Sequence, residues 1–292
     1  MERQAGAERM ASSEKREDGA LWLTMADGQR LFLRDWPGQR AHDAVLIVHG
    51  LGEHSGRYEA LAQWFLAHGY AVRSYDQRGH GRSPGQRGAL RRSDDLLSDL
   101  ATVYEHYATS LGTPPLLLGH SMGGLVAVRA VLDGRVEPPR LVLSSPALRS
   151  YEAPWLHRLA AVLTRTLPNL PLRNGLPLDG LSHDTNVLDA YRNDPLCMRS
   201  VTPRLADFIF RAGASSIADG WRLRVPTLLL AAGSDRLVDP SGSREFSNNA
   251  WATKHLTSRF FDTLFHELFN ETETGRRQVL AQLLDWLRRT RV

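Results

Sequence analysis

Apolar residues come along this chain in short runs separated by longer amphipathic stretches. The runs cover residues 21–25, 31–36, 44–48, 71–75, 116–118, 141–143, 227–231 and 256–261, each of strand rather than helix length. Between the later runs, segments 57–68, 94–111, 122–132, 241–251 and 274–289 repeat their apolar residues at helical spacing. In the last of these Val279, Leu280, Leu283, Leu284 and Leu287 share one face. Strand and helix in alternation predict an α/β fold: a mostly parallel central sheet with helices on both faces. The first two runs, joined around Ala26 to Gln29, predict an antiparallel hairpin.

Two stretches break this rhythm. Residues 147–224 carry Pro154, Pro168, Pro171, Pro177, Pro195 and Pro203 among amphipathic pieces, with no strand pattern, and read as an inserted helical cap. One of its pieces, Trp155 to Leu163, reads as a helix packed on the core, with peripheral contact to a bilayer surface through the cap as the alternative. Residues 1–18 are polar and charged and read as a disordered tail, leaving 19–292 as one domain.

Composition narrows the function classes. The 42% hydrophobic and 23% charged content belongs to an ordinary globular chain with a sizeable core. The net charge is 36 − 32 = +4, and nearly all the cations are arginine, Lys15 and Lys254 being the lysines. Arg91 and Arg92, Arg276 and Arg277, and Arg288, Arg289 and Arg291 lie apart with carboxylates between, so no stripe tracks a nucleic acid; scattered solvated arginines are expected rather than an anionic-lipid patch. Cys197 is the single cysteine, which excludes an intrachain disulfide and a multi-thiolate zinc site and suits a reducing cytoplasm. The N-terminal residues do not read as a signal peptide, and no run approaches the roughly 18 apolar residues of a membrane span. A cytoplasmic protein, at most peripheral to a membrane, is expected.

Gly119-His120-Ser121-Met122-Gly123 matches G-x-S-x-G, with an apolar strand before it and an apolar helix after it. A sharp strand-to-helix turn needs small residues on both sides, and it presents the Ser121 hydroxyl at a helix N-terminus, where developing negative charge is favoured. A serine hydroxyl needs a base, and the base needs an orienting group. In hydrolases with this turn the acid and then the histidine follow the serine. Asp235, just past the run 227–231, is the candidate acid, with Asp239 read as a helix cap. Of the two later histidines, His255 precedes the last strand and His266 follows it, so His266 is the candidate base. The earlier histidines read as hydrogen-bonded or exposed residues. Oxyanion donors are expected from the amide of Met122 and from that of Leu51, which lies between Gly50 and Gly52 after the run 44–48.

These residues carry a resemblance. His49 to Tyr58, Tyr75 to Ser83, Gly119 to Gly124, Tyr191 to Leu196, Gly233 to Asp239 and His266-Glu267 closely resemble the monoacylglycerol lipase and lysophospholipase branch of the α/β-hydrolases, over roughly residues 20 to 290. The resemblance implies an α/β-hydrolase fold and hydrolysis of a small lipid ester, a monoacylglycerol or lysophospholipid, without metal or organic cofactor. The cap would form the acyl channel. It also implies that Glu53 and Arg57 lie near the glycerol head group and Tyr191 on the cap near the pocket; the plainer readings are a helix N-terminal acid, a surface cation and a packed aromatic. Cys197 falls near a cap cysteine of some relatives, although a buried cysteine is the simpler reading. Asp262-Thr263-Leu264-Phe265 departs from the family's smaller turn and is expected to narrow the head-group end.

Two other functions stay open at this point. One keeps the chemistry and changes the acyl donor, as a thioesterase, acyltransferase or general carboxylesterase. The other is a non-catalytic ligand-binding protein of the same fold, which the presence of both serine and histidine disfavours. Oligomeric state is not encoded in any of these motifs.

Overall fold

A computed structural model of the chain describes residues 13–17, 19–38 and 41–291. Its main sheet has nine strands. In chain order they are β1 Ser13–Glu17, β2 Ala20–Thr24, β3 Arg30–Trp36, β4 Asp43–Val48, β5 Tyr70–Tyr75, β6 Leu116–His120, β7 Leu141–Ser144, then β10 Thr227–Ala232 and β11 Leu256–Phe261. Spatially they run β1-β2-β3-β5-β4-β6-β7-β10-β11, antiparallel from β1 to β5 and parallel from β5 to β11.

The central strands are apolar on both faces because both are covered. In β4, Ala44, Leu46 and Val48 face one core while Val45 and Ile47 face the other; Leu117 of β6 and Leu229 of β10 divide from their neighbours in the same way. Helices α2 Asp95–Leu111, α3 Met122–Leu132 and α7 Pro240–Ala250 cover the first face, and α1 Glu59–Ala67 and α8 Glu273–Arg289 the second. Val279 and Leu283 of α8 are fully buried there, as their spacing predicts.

The segment 147–224 holds α4 Pro154–Thr166, α5 Thr185–Asn193 and α6 Pro203–Ala218. It departs from the sequence reading in three ways. It contains a two-residue antiparallel pairing, β8 Leu172–Arg173 with β9 Ser200–Val201, too short to leave a pattern. Helix α6 is a core helix, with Leu205, Phe208, Ala212 and Ile217 in the cluster that α3 belongs to. And α4, expected to pack on the core, buries only Ala160 and leaves Trp155, Leu159 and Val162 exposed. The tail expectation also changes: Ser13–Glu17 is the edge strand β1, carrying charge that pairs across the sheet, Glu17 with Arg30 at 2.6 Å and Glu14 with Arg73 at 3.3 Å. Residues 1–12 and 18 lie outside the described residues.

The loops that follow β4, β6, β10 and β11 at their C-terminal ends gather at one end of the sheet. That is where open parallel sheets assemble their sites. The close passage of α3 beneath β4 fixes this end, since a methyl group at Gly123 would collide with the carbonyl oxygens of Val48 and His49. Gly123→Ala should therefore lower the free energy of unfolding by about 2 kcal/mol or more in urea titration, because backbone on both sides has to move; a loss below 0.5 kcal/mol, on the order of a surface substitution, would contradict this packing.

Candidate active site

Ser121 is the hinge between β6 and α3, in the left-handed region at φ 53°, ψ −122°. Its backbone is committed on both sides: its N–H donates to the Ser144 carbonyl at 2.9 Å, and its carbonyl accepts from Leu125 and Ala147, each at 3.0 Å. The turn closes because position 119 carries no side chain, a Cβ there running into the backbone of Gly123. The half-buried Ser121 side chain lines a cavity under the cap, with the first residue of α3, Met122, beside it. The first amides of α3 have no partner within the helix and favour negative charge.

Asp235 stands just after β10 and is organised by backbone. Its Oδ1 accepts from Leu237 N at 2.8 Å and Val238 N at 2.9 Å, and its Oδ2 accepts from His266 Nδ1 at 2.6 Å. Both side chains are almost wholly buried. Burial alone would push the His266 imidazole down, but the charge and hydrogen bond of Asp235, joined by the charges of Glu267 and Glu53, hold it above its ordinary value. That hydrogen bond leaves Nε2 as the proton-accepting nitrogen, and His266 lines the same cavity as Ser121. Asp239 caps α7, accepting from Ser241 N at 2.8 Å, and His255 precedes β11, at its other end from His266.

The loop after β4 approaches the serine closely, a Cβ on Gly50 coming within 3.1 Å of Ser121 Cβ. The Gly50 amide is used internally, donating to Glu53 Oε1 at 2.6 Å, while Leu51 lines the cavity. Behind the loop, His49 Nε2 accepts from Gln77 N at 2.9 Å and Asp76 Oδ1 from Ser55 N at 2.8 Å, so the motif from Tyr75 to Ser83 acts as its brace.

Glu53, Arg57 and Tyr191 come together, although not all at the cavity wall. Glu53 and Tyr191 line it and Arg57 does not. The Arg57 guanidinium donates to Glu53 Oε2 at 2.8 Å and, as a fork, to Glu267 Oε1 at 2.5 Å and Oε2 at 2.8 Å, while lying 4.9 Å over the Tyr191 ring. Burial would raise the Glu53 carboxyl, yet Arg57 first among its neighbours holds it down at about 2. Tyr191 OH donates to Gly52 O at 3.0 Å, tying the cap to the loop. The expected narrowing by residues 262–265 does not occur: none of them lines the cavity, and Phe265 stacks on His183 with centroids 3.7 Å apart.

Sequence reasoning missed Glu267 and His120. Both line the cavity, and the His120 ring lies 4.8 Å from that of His266. Burial, then the neighbouring His266, pushes His120 down to about 4. A carboxylate directly after the candidate base was the available signal for Glu267. Among the described residues one mixed group of donors, His54, Asp194 and Cys197, brings its atoms within 4.8 Å of one another. His54 Nε2 is already bonded to Asp194 Oδ2 at 2.8 Å, and burial pushes the Cys197 thiol up to about 12, so this group joins loop to cap as a hydrogen-bonded contact.

Comparisons with known proteins bear on the family and the fold. The Hydrolase_4 family, described as serine aminopeptidase, S33, matches residues 39–273. The chain is 33% identical over 265 residues to the monoacylglycerol lipase of Mycolicibacterium smegmatis, covering 89% of this chain and 93% of that one. It is 32% identical over 244 residues to the phospholipase YtpA of Bacillus subtilis, covering 82% of this chain and 93% of that one. The crystal structure of Paleococcus ferrophilus monoacylglycerol lipase superposes with a TM-score of 0.78 at 32% identity, covering 88% of this chain and 99% of that one.

The raised His266 sets a pH dependence. With Ser121 as candidate nucleophile and His266 as candidate base, capture of Ser121 by an organophosphonate would need the neutral imidazole, which is lost as pH falls through its pKa. The second-order rate should decline toward acid with a midpoint above the ordinary imidazole value of about 6.5. Asp235→Asn should lower that rate about 10³-fold or more, because it removes the charge and the tautomer control together. A midpoint at or below 6.5 in the unaltered protein would contradict the electrostatics described.

Proposed function

Because this chain belongs to the Hydrolase_4 family, within the monoacylglycerol lipase branch of the α/β-hydrolase superfamily, we propose that Ser121 is its nucleophile, His266 its general base and Asp235 the group that orients the base. The protein is a carboxylic ester hydrolase of monoacyl lipids. The observation that carries the assignment of residues is the buried Asp235–His266 pair, 2.6 Å long, which shares one cavity with the strained Ser121.

In this reading Ser121 Oγ attacks the ester carbonyl as its proton passes to His266 Nε2. The carbonyl oxygen becomes an oxyanion between the amides of Leu51 and Met122. As the tetrahedral intermediate collapses, His266 returns the proton to the departing alcohol oxygen. Water then repeats the sequence on the acyl-enzyme, and the fatty acid leaves. The acyl chain would lie among cap and body residues such as Leu176, Leu178, Val201, Ile209, Phe210 and Leu237, all of which line the cavity.

The other end of the cavity bears on the head group. Glu53 and Glu267 line it and both pair with Arg57, so these three side chains sum to −1, while the two arginines of the lining, Arg149 and Arg236, pair with Glu245 and Asp179. Carboxylates accept from glycerol hydroxyls and repel a phosphate. We therefore propose a neutral glycerol monoester as preferred substrate over a lysophospholipid. Initial rates on long-chain monoacylglycerol should exceed those on lysophosphatidic acid of the same chain by about tenfold or more and vanish in Ser121→Ala. Equal rates would overturn the head-group reading, activity confined to short esters or thioesters would overturn the substrate, and turnover that survives in Ser121→Ala would overturn the nucleophile.

We also propose that the cap rests on a bilayer surface. No helix among the described residues is long and apolar enough to cross a membrane. Helix α4, however, carries Trp155, Leu159 and Val162 on one exposed stripe, with Arg158 and Arg165 exposed along one side of it. Trp155→Glu should weaken sedimentation with anionic vesicles about tenfold and leave hydrolysis of a short soluble ester unchanged; unaltered vesicle binding would remove α4 from that role.

A further inference from the structure

The bridge Glu53–Arg57–Glu267 runs behind the reacting atoms, and head-group binding does not account for its form. We propose that Glu267, acting through Arg57, is a positioning residue that holds the oxyanion loop and the base in register with each other. The proposal rests on the roles given above to Ser121, His266 and Leu51.

The path is short and made of directional bonds. Glu267 follows His266 in the chain, and its own amide donates to Leu181 O at 2.8 Å, which fixes the peptide after the base. Its carboxylate takes both arms of the Arg57 fork, and its Oε2 also accepts from Asn270 Nδ2 at 3.0 Å. Arg57 reaches on to Glu53 Oε2, and Glu53 Oε1 accepts from Tyr58 OH at 2.7 Å and from the Gly50 amide at 2.6 Å. The residue after Gly50 is the oxyanion donor Leu51. From base to donor the chain of contacts is therefore His266, Glu267, Arg57, Glu53, Gly50, Leu51.

Each charged member is at most 10% exposed, so these bonds are little screened and their geometry is constrained by packing. A fork sets an angle as well as a distance, which a lysine ammonium does not. Buried ion pairs are weak devices for stability, since desolvation offsets most of their attraction. Their use here is to keep two catalytic loops, from opposite ends of the sequence, from moving independently. The surplus negative charge of the trio also favours the imidazolium that forms on His266 as Ser121 loses its proton, in addition to Asp235.

The test compares Glu267→Gln, Arg57→Lys, Arg57→Met and the double variant Glu267→Gln/Arg57→Met. The readouts are kcat and KM on monoacylglycerol and the second-order rate of Ser121 phosphonylation across pH. Glu267→Gln should lower kcat and phosphonylation about 10-fold to 100-fold with KM within about threefold, because the oxyanion donor loses its register. Its acid limb should move to lower pH, since a negative charge beside His266 is gone, whereas Arg57→Lys, which keeps the charges and loses the fork, should lower the rate with the midpoint in place; a merely structural ion pair would leave the rate per folded enzyme unchanged in Arg57→Lys. The double variant should be little worse than Arg57→Met alone, as residues acting along one path are not additive. Wild-type phosphonylation rate and midpoint in Glu267→Gln, an effect on KM alone, or additive effects in the double variant would each overturn the proposal. Should Glu267→Gln fold poorly, Arg57→Lys keeps the charge and loses the fork, and a wild-type rate there overturns it equally. Phosphonylation needs no lipid, so absent monoacylglycerol turnover with Ser121 still reactive would count against the substrate reading and leave this comparison decisive.

Discussion

The passage of α3 beneath β4 with no side chain between them is the contact on which the site depends. Gly123 lies against the carbonyls of Val48 and His49, and Gly119 against Gly123 itself. This forces the chain at Ser121 into a left-handed turn at φ 53° and sets the loop after β4 directly over it. Strain of this kind costs about 1–3 kcal/mol and persists because the surroundings over-determine it. Here they do so through three backbone hydrogen bonds at Ser121, two of which reach β7 and the segment after it. Ser121 and the loop after β4 are thus positioned by the same packing, before any side-chain chemistry is considered.

Electrostatics then decides where charge can go. Three imidazoles, those of His49, His120 and His266, lie in or behind the site, all buried, and burial alone would keep all three neutral. His120 and His49 are held below their ordinary values. His266 is the exception, because Asp235 bonds it directly while Glu267 and Glu53 add their charges. With ring centroids 4.8 Å apart, a proton on His266 further disfavours one on His120. Of the three, His266 is therefore the one at which a proton is favoured, and it lines the same cavity as Ser121. Two of the carboxylates that arrange this, Glu267 and Glu53, also line the cavity, so the same charges bear on His266 and on the charge of any molecule bound beside Ser121.

Much of this was legible in the sequence for reasons that can be named. The central strands follow from uninterrupted apolar runs, because both faces of a parallel sheet are covered, and the turn at Ser121 follows from glycines that only a close approach requires. Strand β1 was not legible: its residues Glu14 to Glu17 are all exposed and charged, and its order comes from pairing with β2 and from ion pairs to Arg30 and Arg73, distant in sequence. Arg57 was legible as a residue near the site but not as one behind it, since the partner that draws it back, Glu267, is 210 positions away. The division of the cap between body and roof was hidden for a related reason. Helices α4 and α6 are both amphipathic, and only tertiary contact reveals that α6 buries its apolar face while α4 does not.

That difference between two similar helices joins the fold to the substrate class. Helix α6 lays Leu205, Phe208, Ala212 and Ile217 into the core and presents Ile209 and Phe210 to the cavity, so it is at once scaffold and wall. Helix α4 packs against α6 on the outer side and turns Trp155, Leu159 and Val162 to solvent, with Leu167, Leu170 and Leu172 exposed beyond its end. In water alone exposed apolar side chains of this number are unfavourable, and soluble monomers keep apolar patches small unless a partner covers them. A long-chain monoester is itself held mainly in a bilayer rather than free in solution, for the same hydrophobic reason. A roof that is apolar outside and a chamber that is apolar inside would let the acyl chain pass from lipid to cavity without full exposure to water. The polar head group would then stay at the end lined by Glu53 and Glu267, where the ester bond meets Ser121.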